Sequence, residues 1–371
     1  MTVGADRYLE EILGQPAALR RAAAGLAEQA AVLDALAGLA LREPIVLTGM
    51  GSSHDACLAA ASALGRAGIL ATPIDTAELL HAWRPALAGA GLVVMVSQSG
   101  QSAEAVRLAE SIRDGAGRHP TVLTITNGAD TRLAGLGDLA LDTRAGIEVC
   151  PSTMTFAGSL VVLSAVCDVL AGSSVQDAVA ATETSASVAA ASAERLLTEP
   201  KACGVRLERW LGARPAIYAL GRGVGLAAAE MTALSLMEAA GVPAASMPTA
   251  EFRHGPLEIA GPGLAVVLFA LDEATYGLDR DFALELAAAG AAVLFVGRQE
   301  RATVAPSAEA AFPVSPGSEG AVESIALPQT SPILAPAVAI GPLQLLARQL
   351  AKARGRRPEA FVLAAKVTTR E

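Results

Sequence analysis

Aromatic residues are scarce, at 3% of a 371-residue chain. That disfavours stacking platforms for nucleobases. Basic charge is also in deficit: 28 Lys and Arg face 37 Asp and Glu, a formal net charge of −9. A nucleic-acid binder needs a basic face to displace counterions, so no nucleic-acid partner is expected. A phosphorylated small molecule is not excluded, because one local anion site suffices for it. Cysteine is rare too, and Cys57, Cys150, Cys167 and Cys203 form no C-x-x-C pair. Such spacing points to reduced thiols and a cytoplasmic setting. The four histidines, His54, His81, His119 and His254, lack H-x-x-x-H or H-x-H spacing, so no metal site is expected. No basic n-region leads an apolar stretch at the N-terminus. The most apolar run, residues 155–167, falls short of the ~20 residues a membrane span needs and reads as a buried helix. No membrane partner is expected.

What the chain does have is apolar content, 52%, and few charged residues, 18%. A sizeable core is therefore available, and the length predicts two domains or one large one. The chain is also written twice, at an offset of 172 residues. Residues 44–48 enter the turn Gly49-Met50-Gly51, and residues 216–220 enter Gly221-Arg222-Gly223. Residues 92–96 (LVVMV) answer to 264–268 (LAVVL), and 121–125 (TVLTI) to 293–297 (VLFVG). Short, unbroken apolar runs between Ala/Leu-rich helical stretches read as parallel strands covered on both faces. The fold class is therefore α/β, two tandem parallel-sheet α/β/α sandwiches. The boundary is expected near residue 200, with residues 1–200 and 201–371 as the two domains. A leading helix is expected over residues 17–39, a helical connector over 156–211 and a closing helix over 342–354.

Ligands of open α/β sheets bind beyond the carboxyl ends of the strands. There, in the first half, stands Ser97-Gln98-Ser99-Gly100-Gln101-Ser102. Hydroxyls and an amide crowd a glycine turn at a predicted helix start, where backbone N–H groups and the macrodipole favour an anion. Ser52 and Ser53 close the neighbouring turn and can converge on the same anion. One serine would be an ordinary N-cap; a cluster beside a second one reads as a phosphate cradle. The repeat supplies a control, since shifting residues 97–100 by the offset gives Phe269-Ala270-Leu271-Asp272, without hydroxyls. One phosphate site per duplicated chain follows. No cofactor is expected: position six of the Gly49-x-Gly51 run is His54 rather than Gly, and no G-x-x-x-x-G-K-[ST] loop occurs.

The second half holds Glu230 and Glu238, eight residues apart on one predicted helix, then Glu251-Phe252-Arg253-His254-Gly255-Pro256. A Glu and a His at the mouth of a sheet, near a phosphate site, suit proton transfer on a sugar. A partly buried Glu can abstract a carbon-bound proton, and His can shuttle one between O5 and O1. Glu238 could equally be a solvated helix end, and His254 could simply fix the turn before Gly255-Pro256.

Residues 11–16 (EILGQP), Gly49–Ser53, Ser97–Gly100, Glu148 with Ser152 and Thr153, Glu238, Glu251–Pro256 and the tail containing Lys366 carry a resemblance. They resemble the isomerase part of glucosamine-6-phosphate synthases and, more broadly, the double sugar-isomerase (SIS) family, over almost the whole chain. The resemblance implies a hexose 6-phosphate held at Ser53, Ser97, Gln98, Ser99 and Ser102. It implies sugar contacts at Gly51, Glu148, Ser152 and Thr153. It makes Glu238 the base between C1 and C2, His254 the ring-opening residue reaching into a neighbouring subunit, and Lys366 the lysine that forms a Schiff base with the ketose. A homodimer with shared active sites is implied. The chain departs from the synthases in three ways. It begins at the isomerase part, and Thr2 rather than a cysteine follows Met1, so nitrogen is not expected from glutamine. A family lysine three residues before the base is Ser235, and a family arginine four residues before Lys366 is Val362. Stand-alone relatives run toward ketose and ammonia. The expected activity is thus deamination and isomerisation of an amino-sugar phosphate, glucosamine 6-phosphate to fructose 6-phosphate. The alternatives are another phosphosugar isomerase or deglycase, on galactosamine 6-phosphate or a glycated amine 6-phosphate, and a non-catalytic phosphosugar sensor.

Overall fold

The computed structural model describes residues 6–39, 43–115, 119–298 and 322–370. Thr2, on which the expectation about glutamine rests, lies outside them. The chain divides into two compact units: one runs to Ala190 and includes the segment from Phe361, the other spans Ala191–Ala360. The dividing line expected near residue 200 thus falls at 190/191, and the tail groups with the first unit, where Lys366 and Thr368 make their hydrogen bonds.

The first unit contains α1 (Arg7–Ala24), α2 (Ala30–Ala37), β1 (Ile45–Gly49), α3 (Ser52–Arg66), β2 (Ala71–Asp75), α4 (Thr76–His81) and β3 (Leu92–Ser97). It continues through α5 (Ala103–Arg113), β4 (Thr121–Thr126), β5 (Leu139–Asp142) and α6 (Met154–Leu170). Its five strands are parallel in the order β2-β1-β3-β4-β5. Val46, Val93, Met95 and Val122 share a core with Leu79 of α4 and with Leu108 and Ile112 of α5. Strand side chains alternate, so the intervening residues turn to the other face, where α3 and α6 lie. Every residue from Met154 to Cys167 is buried, which makes the 155–167 run the core helix the sequence promises. The leading helix differs from its expected extent. It starts at Arg7, with the Asp6 carboxylate accepting the Leu9 amide at 3.2 Å, runs through Pro16, and stops at Gly25 before resuming as α2.

Across the boundary runs α7 (Val175–Leu196). The second unit then follows with α8 (Pro200–Leu211), β6 (Ala216–Gly221), α9 (Val224–Ala240), β7 (Ala245–Pro248), α10 (Thr249–Phe252) and β8 (Leu264–Ala270). Its remaining elements are α11 (Tyr276–Ala288), β9 (Ala292–Arg298), β10 (Val322–Leu327), α12 (Ala335–Ala339) and α13 (Gly341–Ala353). These strands are also parallel, in the order β10-β9-β8-β6-β7. One face packs on α11 through Phe282, Leu286 and Phe295, with Tyr218, Phe252 and Phe282 in edge-on contacts at 5.3 and 6.2 Å. The scarce aromatics are concentrated here. Among the described residues, one helical stretch, Pro332–Ala353, is long and apolar enough to span a membrane; it is 94% buried, as a core element would be.

Both sheets have the expected parallel build, and six strands fall where the repeat places them. The pairing refines the offset: Ile45 pairs with Leu92, whereas Ile217 pairs with Ala265. The counterpart of Ser97 is therefore Ala270 rather than Phe269. Neither carries a hydroxyl, so the internal control stands.

Candidate functional site

In the first sheet the chain order reverses between β1 and β3, and such a switch point opens a crevice beyond the carboxyl ends of its strands. The two serine-bearing turns sit there. Gly51, with φ 51° and ψ −129°, turns β1 into α3 in a conformation that side-chain-bearing residues rarely adopt. Ser53 follows in the first turn of α3 and is buried. After β3, Ser97 Oγ accepts the Gly100 amide at 3.2 Å and lies 3.4 Å from Ser102 Oγ. Ser102 is the N-cap of α5, yet its side chain makes no capping bond, so its hydroxyl is not spent on the helix. Ser99 is different, because its Oγ accepts the Gln101 amide at 3.1 Å. Gly100 is dictated by two constraints. Its φ is +59°, and a Cβ there would lie 2.3 Å from Thr131 Oγ1. Next to the turn, Gln101, Ala103, Arg107, Glu110, Arg132 and Thr369 help line an open groove of about 470 Å³.

A second cluster lies past β5, the strand at one edge of the same sheet. Glu148 is buried. Its Oε2 accepts the Thr153 amide at 2.8 Å, the Thr153 hydroxyl at 3.0 Å and the Thr155 amide at 3.0 Å. Its Oε1 accepts the Thr155 hydroxyl at 2.7 Å and Lys366 Nζ at 2.7 Å. A buried carboxylate is tolerated only when so paired, and the start of α6 is a favourable place for it. Lys366 also donates to the Cys150 carbonyl at 2.6 Å. Glu11 of α1 accepts the Val149 amide at 2.8 Å and the Cys150 amide at 3.1 Å. Burial pushes the Glu11 carboxyl above its ordinary range; the bond from Val149 opposes this, and nearby Glu148 adds to it. Asn127, at the end of β4, braces the approach. Its Oδ1 accepts the Thr143 hydroxyl and the Ala145 amide, both at 2.9 Å, and its Nδ2 donates to the Gly146 carbonyl at 2.8 Å. Ser152 Oγ is 3.1 Å from Thr155 Oγ1, and Thr153 is wholly buried. Of the expected sugar contacts, Glu148, Ser152 and Thr153 are thus engaged in holding this segment together.

The second unit separates its two candidates. Glu238 lies in the last turn of α9 and is exposed. Since α9 begins at the carboxyl edge of the sheet, Glu238, fourteen residues beyond Val224, is carried about 20 Å back along the helix axis. His254 lies instead in the exposed turn after β7 and α10, beyond the carboxyl edge. The expectation that a Glu and a His share one sheet mouth therefore does not hold within this unit, because a crossover helix runs antiparallel to its strands. The His254 turn is well anchored. Its amide donates to the Glu251 carbonyl at 2.9 Å, and neighbouring Arg253 lies 4.4 Å over the Phe282 ring and pairs with Glu285. Glu230, on the same helix, accepts the Ser246 hydroxyl at 2.6 Å. Ser235 is buried, so the position of the family's lysine points into packed structure here.

No disulfide joins the cysteines, and burial pushes the Cys57 and Cys167 thiols up, away from a reactive thiolate. Among the described residues no group of three or more His, Cys, Asp or Glu is placed to hold a metal ion.

Sequence reading missed Thr155, Glu11, Asn127 and Arg253. Glu11 had a signal, an acid on the otherwise buried face of α1 with Tyr8, Ile12 and Leu19. Asn127 and Arg253 lie far in sequence from what they hold, whereas Thr155 stands near Glu148 but in no pattern that marks it as the partner of a carboxylate.

Two parallel α/β units in tandem, one with a hydroxyl-lined turn at its switch point, define a duplicated ligand-binding architecture. The SIS domain family matches residues 39–170 and 212–340, and this chain belongs to that family. It is 30% identical over 370 residues to the glutamine–fructose-6-phosphate aminotransferase (isomerizing) of Aeropyrum pernix, across 98% of this chain and 57% of that protein. It is 29% identical over 364 residues to the Pyrobaculum aerophilum enzyme of the same name, with the same coverages. The chain thus spans little more than half the length of these curated relatives. Among solved structures it is similar to the C-terminal domain of glucosamine-fructose-6-phosphate aminotransferase from Francisella tularensis. That match has a TM-score of 0.75 at 21% identity, over 96% of this chain and 98% of that one. It is also similar to glucosamine-6-phosphate deaminase from Thermotoga maritima, with a TM-score of 0.70 at 19% identity, over 97% and 99% of the two chains.

Proposed function

We propose that this chain is an amino-sugar-phosphate deaminase and isomerase converting glucosamine 6-phosphate to fructose 6-phosphate and ammonia. The observation that carries the reading is the turn after β3, where Ser97 and Ser102 face each other across 3.4 Å at the switch point of the first sheet. Small hydroxyls beside a helix start suit a phosphate dianion. Ser53, Gln98 and Ser99 complete the cradle.

In this reading His254 opens the pyranose by moving a proton from the O1 hydroxyl to O5. Glu238 takes the C2 proton, and the electron pair forms the C1–C2 double bond of an aminoenol as O1 gains a proton. Returning a proton to C1 gives the ketimine. Water adds at C2, ammonia leaves, and fructose 6-phosphate remains, so one water is consumed. In this reading, as the family resemblance implies, the His254 of a site comes from a second copy of the chain; the separation of Glu238 and His254 by the length of α9 supports that division. The working form is then a homodimer with shared sites in the cytoplasm. Positioned donors stabilise the charge that develops on the oxygens.

The test is ammonia release with coupled detection of fructose 6-phosphate, on glucosamine and galactosamine 6-phosphates. Turnover of the gluco substrate without added glutamine is expected. Turnover of neither sugar would refute the assignment.

A further inference from the structure

The tail reaches the first unit at two points. The Thr368 carbonyl accepts the amide of Ala103, the first residue of α5 and the neighbour of Ser102, at 3.0 Å. Two residues upstream, Lys366 Nζ bonds Glu148 at 2.7 Å and the Cys150 carbonyl at 2.6 Å. One short stretch of chain thus ties the lysine to both the phosphate turn and a buried carboxylate. The carboxylate is itself immobilised, with Glu148 wholly buried and its oxygens also taken up by Thr153 and Thr155. The Cys150 peptide is gripped from its other side by Glu11. Both partners of Nζ are acceptors only, so the lysine meets them as a donor. A lysine nucleophile works otherwise: Nζ must offer a lone pair to a carbonyl carbon and then lose water to form the imine. An ammonium in a salt bridge has no such pair. It has three N–H bonds, and two are committed here. The side chain remains 22% exposed, leaving the third N–H for a ligand oxygen.

We propose that Lys366 serves this chain as a clamped, non-covalent cation whose remaining N–H stabilises an oxygen of the open-chain sugar, and that Glu148 and Thr155 are positioning residues holding it, not groups that touch the sugar. This rests on the reading of the first unit as a hexose 6-phosphate site. It departs from the Schiff-base role that the family resemblance implies for this lysine. Negative charge on O1 or on the C2 carbonyl oxygen during enolisation is what a fixed ammonium stabilises best.

The experiment has a structural arm and a catalytic arm, both on the full chain. The sequence has three lysines, Lys201, Lys352 and Lys366. Brief labelling with an amine-reactive ester, read by mass spectrometry, should modify Lys366 at least tenfold more slowly than the exposed Lys201, and Glu148→Gln should erase most of that protection. Equal labelling in the wild type overturns the clamp whatever the enzyme does. In the catalytic arm, fructose 6-phosphate and borohydride should leave no adduct on Lys366. Lys366→Arg should keep activity within about tenfold while Lys366→Met loses a hundredfold or more. Thr155→Val should lower kcat about tenfold with KM unchanged, and Thr155→Ser should restore it. A trapped adduct at Lys366, an Arg variant as inactive as the Met variant, or a rise in KM for Thr155→Val each overturns the proposal. Absence of wild-type turnover on any amino-sugar phosphate sinks the deaminase reading instead and leaves the labelling result to decide the clamp.

Discussion

The two units share a strand order and even a backbone detail. Gly51 and Gly223 begin α3 and α9 with φ and ψ of 51° and −129° against 52° and −124°. What lies between the strand ends is different. The first unit places hydroxyls there. The second places Arg222, which pairs at 2.8 Å with Asp279, while Asp279 also accepts the Thr275 hydroxyl at 3.0 Å. Asp272 accepts the Ala274 amide at 3.0 Å. The second switch point supplies its own anion to its own cation and so neutralises itself. Burial pushes the Asp279 carboxyl up, and the bond from Arg222 opposes it. A duplicated fold has kept its geometry in both copies and its uncommitted donors in one. Position in a fold therefore makes a site available, and the unspent hydrogen-bonding capacity of the side chains decides whether it is used.

Six substitutions test this division of labour. The largest effect is expected from Asp279→Ala, which strands Arg222. Loss of one partner of a buried pair should cost about 3 kcal/mol of stability in urea unfolding, while the KM for the sugar phosphate stays constant. A rise in that KM would place the ligand at the second switch point. Next is Glu238→Gln, expected to lower ammonia release about a hundredfold; near-normal turnover would remove Glu238 from catalysis. Third, Ser97→Ala removes one hydrogen bond to a dianion. That is worth about 1.5 kcal/mol, roughly a tenfold rise in KM. Asp272→Asn should leave KM alone, and Ser99→Ala should act more weakly than Ser97→Ala, because Ser97 is buried at the turn whereas the Ser99 hydroxyl and its bond from the Gln101 amide lie at the surface. Equal effects at positions 97 and 272 would dissolve the contrast between the halves. The smallest effect concerns Glu11. Its folded pKa lies above the ordinary 4.5, so its protonated form is the one the native state favours. That stabilisation is complete below the unfolded value and is lost as pH rises through the folded one. Glu11→Gln should therefore gain on the wild type in thermal unfolding as pH climbs above about 4.5. A constant difference from pH 4.5 to 7.5 would refute the shift.

Much of the fold was legible in the chain because, among the described residues, six of the ten strands are interior and read as unbroken apolar runs. The other four, β2, β5, β7 and β10, are the edges of their sheets. Their sequences, ATPID, LALD, ASMP and VESIAL, are short or polar because one side faces solvent. No local pattern separates them from loops. The serine turn was visible for the opposite reason, being contiguous. Glu148, Thr155 and Lys366 span 218 residues, and neither periodicity nor spacing can announce a partnership at that separation. The direction of α9 was implicit in the alternation of strands and helices, yet placing Glu238 required knowing how far along the helix it stands.

The segment from Phe361 has a consequence for anyone dividing this molecule. A cut between Ala190 and Ala191 severs one connection in sequence, yet it separates the upstream piece from Lys366 as well. The orphaned piece would retain a carboxylate built to receive an ammonium, with nothing to fill it and no water-facing escape. Its remedies are to take up a proton or to loosen the chain around residues 148–155. Supplying the last residues as a separate peptide should then tighten the fragment, as a missing strut tightens a frame.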